Sequence, residues 1–503
     1  MKSSQNSISQ KYSRTFYPCR CATISFRIVF FLLLMAGPIL LKGQPNTLYF
    51  MKGIPQTKDL NPARPGITGG FYFSMPLLSK IDLAANTNNW AYNDLVHWGT
   101  GLRADSLVID MDKFRGKLSD NNFVYESAAL TVLEGGYKNG KNFYAFSLSE
   151  REFSQLFFHK NLADLIQHGN YPYIGTTFYS GNFGGGAQHY REFAFNYSRD
   201  VTSKITIGGA VKLLFGMGAV QTDRINFKGS SPVNNEFLDV SVTGRVDISA
   251  PINFNYNSLG EITSVSSLPD YTFGDYLKNF KNPGIAIDLG FSYLVNKKTE
   301  ISASIIDLGM IGWKTNVTRL TEKGNFLYRG INFYDKTQNP PVVPALKPLV
   351  DQLGDSIAAA FRPDTVGTRF STLIPARVYF GVDYQLSDNV SLSGLSRIRV
   401  ISNTVHTSLT GSVNAMVNEV VSLSASYSVM ESTYDNLGVG IGIKIAPFQI
   451  YAATDNLISP FFPATTKNMN LRVGINFIFD NNKKSKNGSS SGGRINSKCN
   501  CPY

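Results

Sequence analysis

The chain has 503 residues, of which only 17% are charged, and its 44 glycines and 13% aromatic residues favour strands and turns over helices. Its net charge of +12 comes mainly from two tails: residues 1–43 hold six Lys and Arg, residues 481–503 hold five, and neither tail has an acidic residue. The chain between them is therefore nearly neutral, which gives little support to a basic face for nucleic acid.

The N-terminus predicts a cleaved secretory signal peptide over residues 1–43. A basic region ending at Arg27 precedes an apolar run from Ile28 to Leu41, and the small Gly43 offers a cleavage site. The run is shorter than the ~20 residues of a membrane helix. A membrane protein with this sequence must therefore cross the bilayer with strands.

Period-2 alternation predicts strands of about ten residues, the length that a tilted strand needs to cross a membrane. From Ile285 to Tyr293 the odd-numbered positions are aliphatic or aromatic, and the positions between them are small or polar. An extended strand places these two sets on opposite faces. The same pattern recurs at 240–248, 377–386, 421–429, 439–445 and 470–479, and strand-like stretches occur at 67–75, 123–136 and 141–152.

Short and long connections alternate along the chain, as they do in outer-membrane barrels. The predicted short turns are 199–200, 296–298, 387–389, 418–419 and 446–447, and the longer links are 220–237, 268–282, 307–370, 431–434 and 456–467. Keeping this alternation back to Ala187 requires a hairpin around Asn257 to Gly260. Helical spacing at 157–168 and 345–361 predicts helices in loops or in a plug.

These patterns predict an all-β protein, an antiparallel transmembrane β-barrel of about 14–18 strands with short helices in its loops or plug. After the signal peptide we expect an N-terminal segment with a plug and the first strands over 44–122. The transmembrane β-barrel follows over 123–480. Residues 481–503 are expected to be a disordered periplasmic tail, because their Gly/Ser/Lys-rich composition cannot pack a core.

Three phrases resemble a family of uncharacterised outer-membrane barrels from Bacteroidota: MKGIPQTKDLNPARPG (51–66), ASIIDLGMIGWKTN (303–316) and YAATDNLISP (451–460). The family is similar in architecture to the fatty-acid-channel (FadL-like) barrels. Secretion-system partner barrels of the same phylum (PorP/SprF-like) look similar too. The resemblance implies about 14 strands and an N-terminal segment inside or beside the lumen, and it implies no particular substrate.

Four polar residues on the inward-facing positions of predicted strands are candidates for the lumen lining: Arg377, Asp383, Lys444 and Arg472. They are expected either to line a pore and set its charge selectivity, or to form an interior salt-bridge network that closes the lumen. The two alternatives distinguish a channel from a scaffold.

Four further residues are candidates for the loops or the rim. Asp307 and Trp313 follow a predicted strand end, where they are either part of a gate or ligand site, or a turn former and an interfacial belt residue. Asp455 and Asn456 occupy an equivalent strand exit. Their oxygens suit a cation, and a turn is the simpler explanation.

No motif indicates an enzyme. None of the five histidines has metal-ligand spacing and residues 44–480 contain no cysteine, so we expect no catalytic residue, no metal and no cofactor. Cys499 and Cys501 in the tail either form intermolecular or local disulfides, recruit a periplasmic partner, or are incidental thiols of a disordered end.

Two functions fit these features. The first is a porin-like channel or transporter for small molecules, hydrophobic ones included, in the cell outer membrane and surrounded by its lipid. The second is a non-transporting scaffold that anchors periplasmic or surface protein partners for secretion or surface assembly. No nucleic-acid partner is expected.

Overall fold

The structure, a computed structural model, describes residues 46–480 except for 102–103, 170, 182, 223–224, 231–237, 257, 259–261, 269–270, 329–361, 365–368, 402–403 and 431–432. The described residues form strands and a few short helices. The first strands are β1 (Gly70–Ser74), β2 (Lys80–Thr87), β3 (Val96–Trp98), β4 (Leu107–Ile109), β5 (Asn121–Asn139), β6 (Asn142–His159), β7 (Thr177–Tyr179), β8 (Gly184–Asp200) and β9 (Ile205–Thr222). The next are β10 (Asn226–Ser230), β11 (Leu238–Ser249), β12 (Ile252–Tyr256), β13 (Ile262–Ser267), β14 (Pro283–Leu294), β15 (Thr299–Trp313), β16 (Val317–Tyr328) and β17 (Arg362–Asp364). The last are β18 (Phe370–Leu373), β19 (Arg377–Gln385), β20 (Val390–Ile401), β21 (Thr404–Val417), β22 (Val421–Met430), β23 (Thr433–Ile445), β24 (Phe448–Thr454) and β25 (Asn468–Phe479).

The helices are all short. The α-helices are α1 (Tyr92–Leu95), α2 (Met111–Lys117), α3 (Lys160–His168) and α4 (Phe273–Leu277). Single turns of 3₁₀-helix lie at Thr47–Phe50, Pro55–Asp59, Tyr171–Tyr173 and Pro463–Thr465. In the part of the chain that the structure describes, no helix has the length and apolar character needed to span a membrane.

The wall is a closed antiparallel barrel of 14 strands. β1 and β2 share the first position, because both pair with β5 on one side and with β25 on the other. The other positions follow in chain order: β5, β6, β8, β9, β14, β15, β19, β20, β21, β22, β23, β24 and β25. The pairing of β25 with the first position joins the two ends of the sheet, as closure of a barrel requires. The predicted antiparallel barrel is confirmed.

Side-chain alternation sorts the wall residues between the two faces of the barrel. In β14, Ile285 and Leu289 are 54% and 51% exposed, whereas Ala286 and Asp288 are 1% and 2% exposed. The apolar set therefore forms the outer surface and the small or polar set faces the lumen. A soluble protein would bury that apolar set, so the pattern suits an outer surface in contact with lipid.

The connections define two ends of the barrel. At the turn end they are short: 140–141, 201–204, 295–298, 386–389, 418–420 and 446–447. At the loop end they include the long segments 88–120, 160–183, 223–282, 314–376 and 455–467. The predicted alternation of short and long connections arises because successive connections lie at opposite ends of the barrel.

Three details differ from the sequence-based expectations. The hairpin expected around Asn257 to Gly260 is formed by β12 and β13, but these pair with each other in a separate two-stranded sheet and add no strands to the wall. The helix predicted at 157–168 begins only at Lys160, because the strand pairing of β6 continues to His159. The helix predicted at 345–361, the signal peptide and the tail at 481–503 lie outside the described residues.

Candidate functional site in the barrel lumen

The turn-end half of the lumen is occupied by residues 46–69, here called the N-terminal segment. Its two 3₁₀ turns are buried, and Leu48 and Tyr49 are 0% exposed. An apolar cluster joins the segment to inward-facing wall residues: Leu48, Tyr49, Phe50, Met51, Ile54 and Leu60 pack with Ile306, Tyr379, Leu395, Tyr451 and Ala453. The segment is therefore packed inside the barrel rather than beside it.

Small residues on the inner face of β23 make room for the segment. A Cβ atom at Gly438 would lie 2.4 Å from Thr47 Oγ1, and one at Gly440 would lie 2.4 Å from Met51 Sδ. At Gly442 it would lie 2.6 Å from Ile54 Cδ1. Side chains at these positions would overlap the segment, so the three glycines form the surface on which it packs. We call this surface the seat of the segment. The alternation of Gly with aliphatic residues in this strand is the sequence signal that reveals the seat.

Asp455 holds the first residues of the segment. Its carboxylate accepts hydrogen bonds from the backbone N–H groups of Asn46 (2.7 Å) and Thr47 (2.8 Å) and from Thr47 Oγ1 (2.5 Å). Burial raises the pKa of the Asp455 carboxyl above its ordinary value, although the bonds from Thr47 and Asn46 act in the opposite direction. Thr47 Oγ1 also lies 2.7 Å from Ser426 Oγ of β22.

Polar contacts continue along the segment and reach the neighbouring strands of the wall. Gln56 and Asn476 of β25 exchange side-chain hydrogen bonds of 2.8 and 3.0 Å. Lys58 forms an ion pair of 2.9 Å with Glu134 of β5. Asn61 donates a hydrogen bond of 2.9 Å to the Tyr49 hydroxyl. The segment thus forms most of its polar contacts with side chains inside the lumen, as buried polar groups require.

A second part of the lumen is filled by charged side chains of the wall itself. Asp307 of β15 is the centre: Lys212 Nζ lies 2.5 Å and Arg151 NH1 3.2 Å from its carboxylate, and Arg377 also forms an ion pair with it. Lys212 contacts Asp288 at 2.7 Å as well. These five residues come from five strands, so the network ties β6, β9, β14, β15 and β19 together.

Between this network and the N-terminal segment lies a cavity of about 40 Å³. Its cationic lining residues are Lys80, Arg151, Arg377, Arg399 and Arg472, and its acidic ones are Asp59, Asp82, Glu152 and Asp307. Asp59 belongs to the N-terminal segment and lies 2.5 Å from Lys80. Because a single water needs about 10–15 Å³ of such space, the cavity has room for a few water molecules or a small ion.

The candidate lumen residues occupy different environments. Arg377 and Arg472 are buried and form ion pairs with Asp307 and Asp82. Asp383 is buried and accepts a hydrogen bond from Ser393. Lys444 lies at the turn end, where it pairs with Asp480. Arg377 and Arg472 therefore belong to the cavity lining, and Asp383 and Lys444 are not among its lining residues.

The location predicted for Asp307 and Trp313, beyond a strand end, is wrong. Both residues lie within β15, which extends to Trp313. Asp307 is a bulge residue with φ of +61°, where the register with β14 shifts, and the bulge turns its carboxylate toward the lumen cations. Trp313 is 0% exposed, so it is not a belt residue, and its indole N–H donates to Thr372 Oγ1 at 2.9 Å.

Asp455 and Asn456 follow the end of β24, and both are buried rather than exposed at a rim. Asn456 organises the turn: its side-chain N–H donates to the Asn468 carbonyl at 3.0 Å, and its Oδ1 accepts from the Ile458 N–H at 3.2 Å. Asp455 instead contacts the N-terminal segment. The sequence places Asp455 more than 400 positions from Asn46, and no local pattern connects the two.

A closed β-barrel that carries a segment of its own chain in the lumen is a plugged barrel. This chain belongs to the family of unknown function DUF5723, whose model matches residues 65–455. The matched range contains the wall from its first strand to the end of β24 and begins after most of the N-terminal segment.

Solved structures with distant similarity are also barrels. One is a Pseudomonas aeruginosa FadL homologue, with 9% identity, a TM-score of 0.38 and coverage of 87% of this chain and 98% of that chain. Another is the Pseudomonas putida toluene transporter TodX, with 10% identity, a TM-score of 0.38 and coverage of 87% and 97%. A third is the translocator domain of autotransporter NalP from Neisseria meningitidis, with 9% identity, a TM-score of 0.30 and coverage of 91% and 98%. No curated protein matches the chain.

Proposed function

We propose that this protein is an outer-membrane β-barrel that moves small molecules across the membrane, with the N-terminal segment as the closure of its lumen. The apolar outer surface supports a place in lipid, since exposed residues such as Ile285, Leu289, Phe380 and Leu409 lie at every second position of their strands. The charged inner face supports a hydrated interior. Passage requires the N-terminal segment to leave its seat.

One observation carries this proposal: in the turn-end half of the lumen, a separate segment of the chain fills the space between the inward-facing side chains of the wall. The wall against which the segment packs bears glycines at 438, 440 and 442, where larger side chains would overlap the segment. The segment joins the wall through Gly69 and Gly70, and Gly70 has φ of +84°. Glycine accommodates large backbone changes at such a link.

A disulfide that ties the segment to the wall tests this proposal. Thr47 Oγ1 and Ser426 Oγ lie 2.7 Å apart, so cysteines at these two positions are within reach of a disulfide. The variant carries Thr47→Cys and Ser426→Cys, with Cys499 and Cys501 changed to Ser. In liposomes, uptake of a small sugar and ion conductance are expected to fall on oxidation and to return on reduction.

The control is the single variant Thr47→Cys in the same background. Its sugar uptake and ion conductance are expected to be the same with and without the oxidant. Transport that is equal in the oxidised and reduced double variant would contradict closure by the segment. An oxidised sample in which the disulfide has been verified by mass spectrometry is needed for this comparison.

A second candidate function is a non-transporting scaffold that anchors partner proteins. It is favoured by the charged network, because the ion pairs of Asp307 and Lys212 bind five strands together and leave little free space beside them. A variant lacking residues 46–66 separates the two functions. Steady conductance in planar bilayers supports transport, whereas a correctly folded deletion variant with no conductance and no solute uptake supports the scaffold.

A further inference from the structure

Arg399 of β20 is a buried cation whose charge is not neutralised by the residues that the structure describes. It is 2% exposed, and none of the described residues accepts a hydrogen bond from its guanidinium or forms an ion pair with it. Its Cζ lies 4.4 Å from the centre of the Tyr125 ring and 5.5 Å from that of Phe153. Such cation–π contacts offset only part of the cost of taking a guanidinium out of water.

The strand register adds further positive charge beside Arg399. Its direct cross-strand partner on β19 is Arg377. Like charges at directly opposed positions destabilise a pair of strands. Arg377 has Asp307 as its counter-ion, but Asp307 is shared with Lys212 and Arg151.

Arg399 and Arg377 both line the cavity of about 40 Å³ above the N-terminal segment. The lining has one more cationic than acidic residue, as named above. Asp59, Asp82 and Asp307 already contact other cations. Glu152, the fourth acid, forms no ion pair with Arg399 within 4.0 Å in the described structure. The cavity thus contains the guanidinium group of Arg399 without a counter-ion among the described residues, and it has free volume beside that group.

We propose that this cavity binds a small monovalent anion, of the size of a halide or formate, beside Arg399 and Arg377. The anion would supply the counter-charge that the wall lacks and would separate the two opposed guanidinium groups. The available volume accommodates a few water-sized atoms, which excludes an anion that carries an alkyl chain. This site is independent of whether the barrel transports anything.

Bromide is the probe, because it replaces chloride and has a strong anomalous X-ray signal. Crystals of the full-length protein in sodium bromide are expected to show an anomalous peak within hydrogen-bonding distance of the Arg399 guanidinium. In detergent, the unfolding temperature is expected to be higher in sodium chloride than in sodium gluconate at the same sodium concentration. The proposal expects Arg399→Gln to lose both the peak and the chloride dependence.

Arg191→Gln is the matched control, because Arg191 is also buried but pairs with Glu150 at 2.6 Å and is not among the cavity lining residues. It is expected to keep the bromide peak and the chloride dependence. Water density alone beside Arg399, an ion pair between Arg399 and Glu152, or equal unfolding temperatures of the wild type in the two salts would overturn the proposal. These wild-type measurements decide it even if Arg399→Gln fails to fold.

Discussion

Two stretches of the same barrel wall fill the lumen by different means. The charged wall, formed by β6, β8, β9, β14, β15 and β19, projects long ionic side chains that neutralise one another across the strands. The serine wall, formed by β21, β22 and β23 between Ser408 and Gly442, presents Ser, Thr, Asn and Gly to the lumen. The N-terminal segment packs against the serine wall.

The barrel therefore combines a rigid part of its lumen with a part that a movable segment occupies. Ionic side chains of the charged wall are part of the strands, so they leave the lumen only if the barrel deforms. The serine wall instead needs another part of the chain to occupy its space, because small side chains leave the interior unfilled. Four predictions test this division, in order of decreasing expected effect.

The largest effect is expected from Asp307→Asn in the charged wall. The change removes the carboxylate shared by Lys212, Arg151 and Arg377 and leaves buried positive charge, which costs about 3–5 kcal/mol. Asn tolerates the left-handed backbone at φ +61°, so the loss reports on charge and not on strain. Urea unfolding in detergent measures the free energy.

Asp480→Asn is the control for that prediction, because the ion pair of Asp480 with Lys444 is partly exposed and is worth about 0–1 kcal/mol. Equal losses of stability in the two variants would show that the charged wall does not depend on its central carboxylate.

Asp455→Asn is expected to loosen the start of the N-terminal segment. The amide offers one acceptor oxygen where the carboxylate offers two, so one charge-assisted hydrogen bond from Asn46 or Thr47 is lost at a cost of about 2 kcal/mol. The open population of the segment then rises roughly thirtyfold. Hydrogen exchange at residues 46–51 measures this rise. Asp388→Asn, in an exposed turn, is the control. Unchanged exchange in Asp455→Asn would show that Asp455 does not hold the start of the segment.

Gly440→Val tests the serine wall directly. A Cβ there would lie 2.4 Å from Met51 Sδ, so valine overpacks the seat at a cost of about 1–3 kcal/mol and favours the displaced segment. Higher conductance in planar bilayers is the expected result. Gly411→Val on β21 is the matched control, since a Cβ there meets no atom within 4 Å. A segment that still resists trypsin in Gly440→Val would argue against the seat.

The smallest effect is expected from Trp313→Phe. The change removes the hydrogen bond from the indole N–H to Thr372 Oγ1, which is 2.9 Å long, and keeps most of the buried ring. A loss of about 1 kcal/mol is expected from thermal unfolding in detergent. Conductance should not change, because the buried cluster that contains Trp313 has no residue of the N-terminal segment among its described members. An increase in conductance would show that residues outside the N-terminal segment also close the lumen.

The sequence alone determined that this chain forms a barrel with an apolar exterior, since period-2 alternation is a local property of extended backbone and survives any arrangement of the loops. It identified Arg377 and Arg472 as inward-facing residues by the same alternation. It also indicated, through the resemblance, that the N-terminal segment lies in or beside the lumen.

Which inward-facing residues contact one another follows from the folded barrel and not from the local pattern. The bulge at Asp307 moves its carboxylate between Lys212 and Arg377, and the closure of the barrel brings Asp455 to Asn46. Those contacts depend on strand register and on bulges, and one residue of register shift reverses the face on which a side chain lies. The alternation in the sequence predicts which face of its strand each residue occupies. It does not predict the residue's partner across the lumen, because that partner depends on the pairing of strands far apart in the chain.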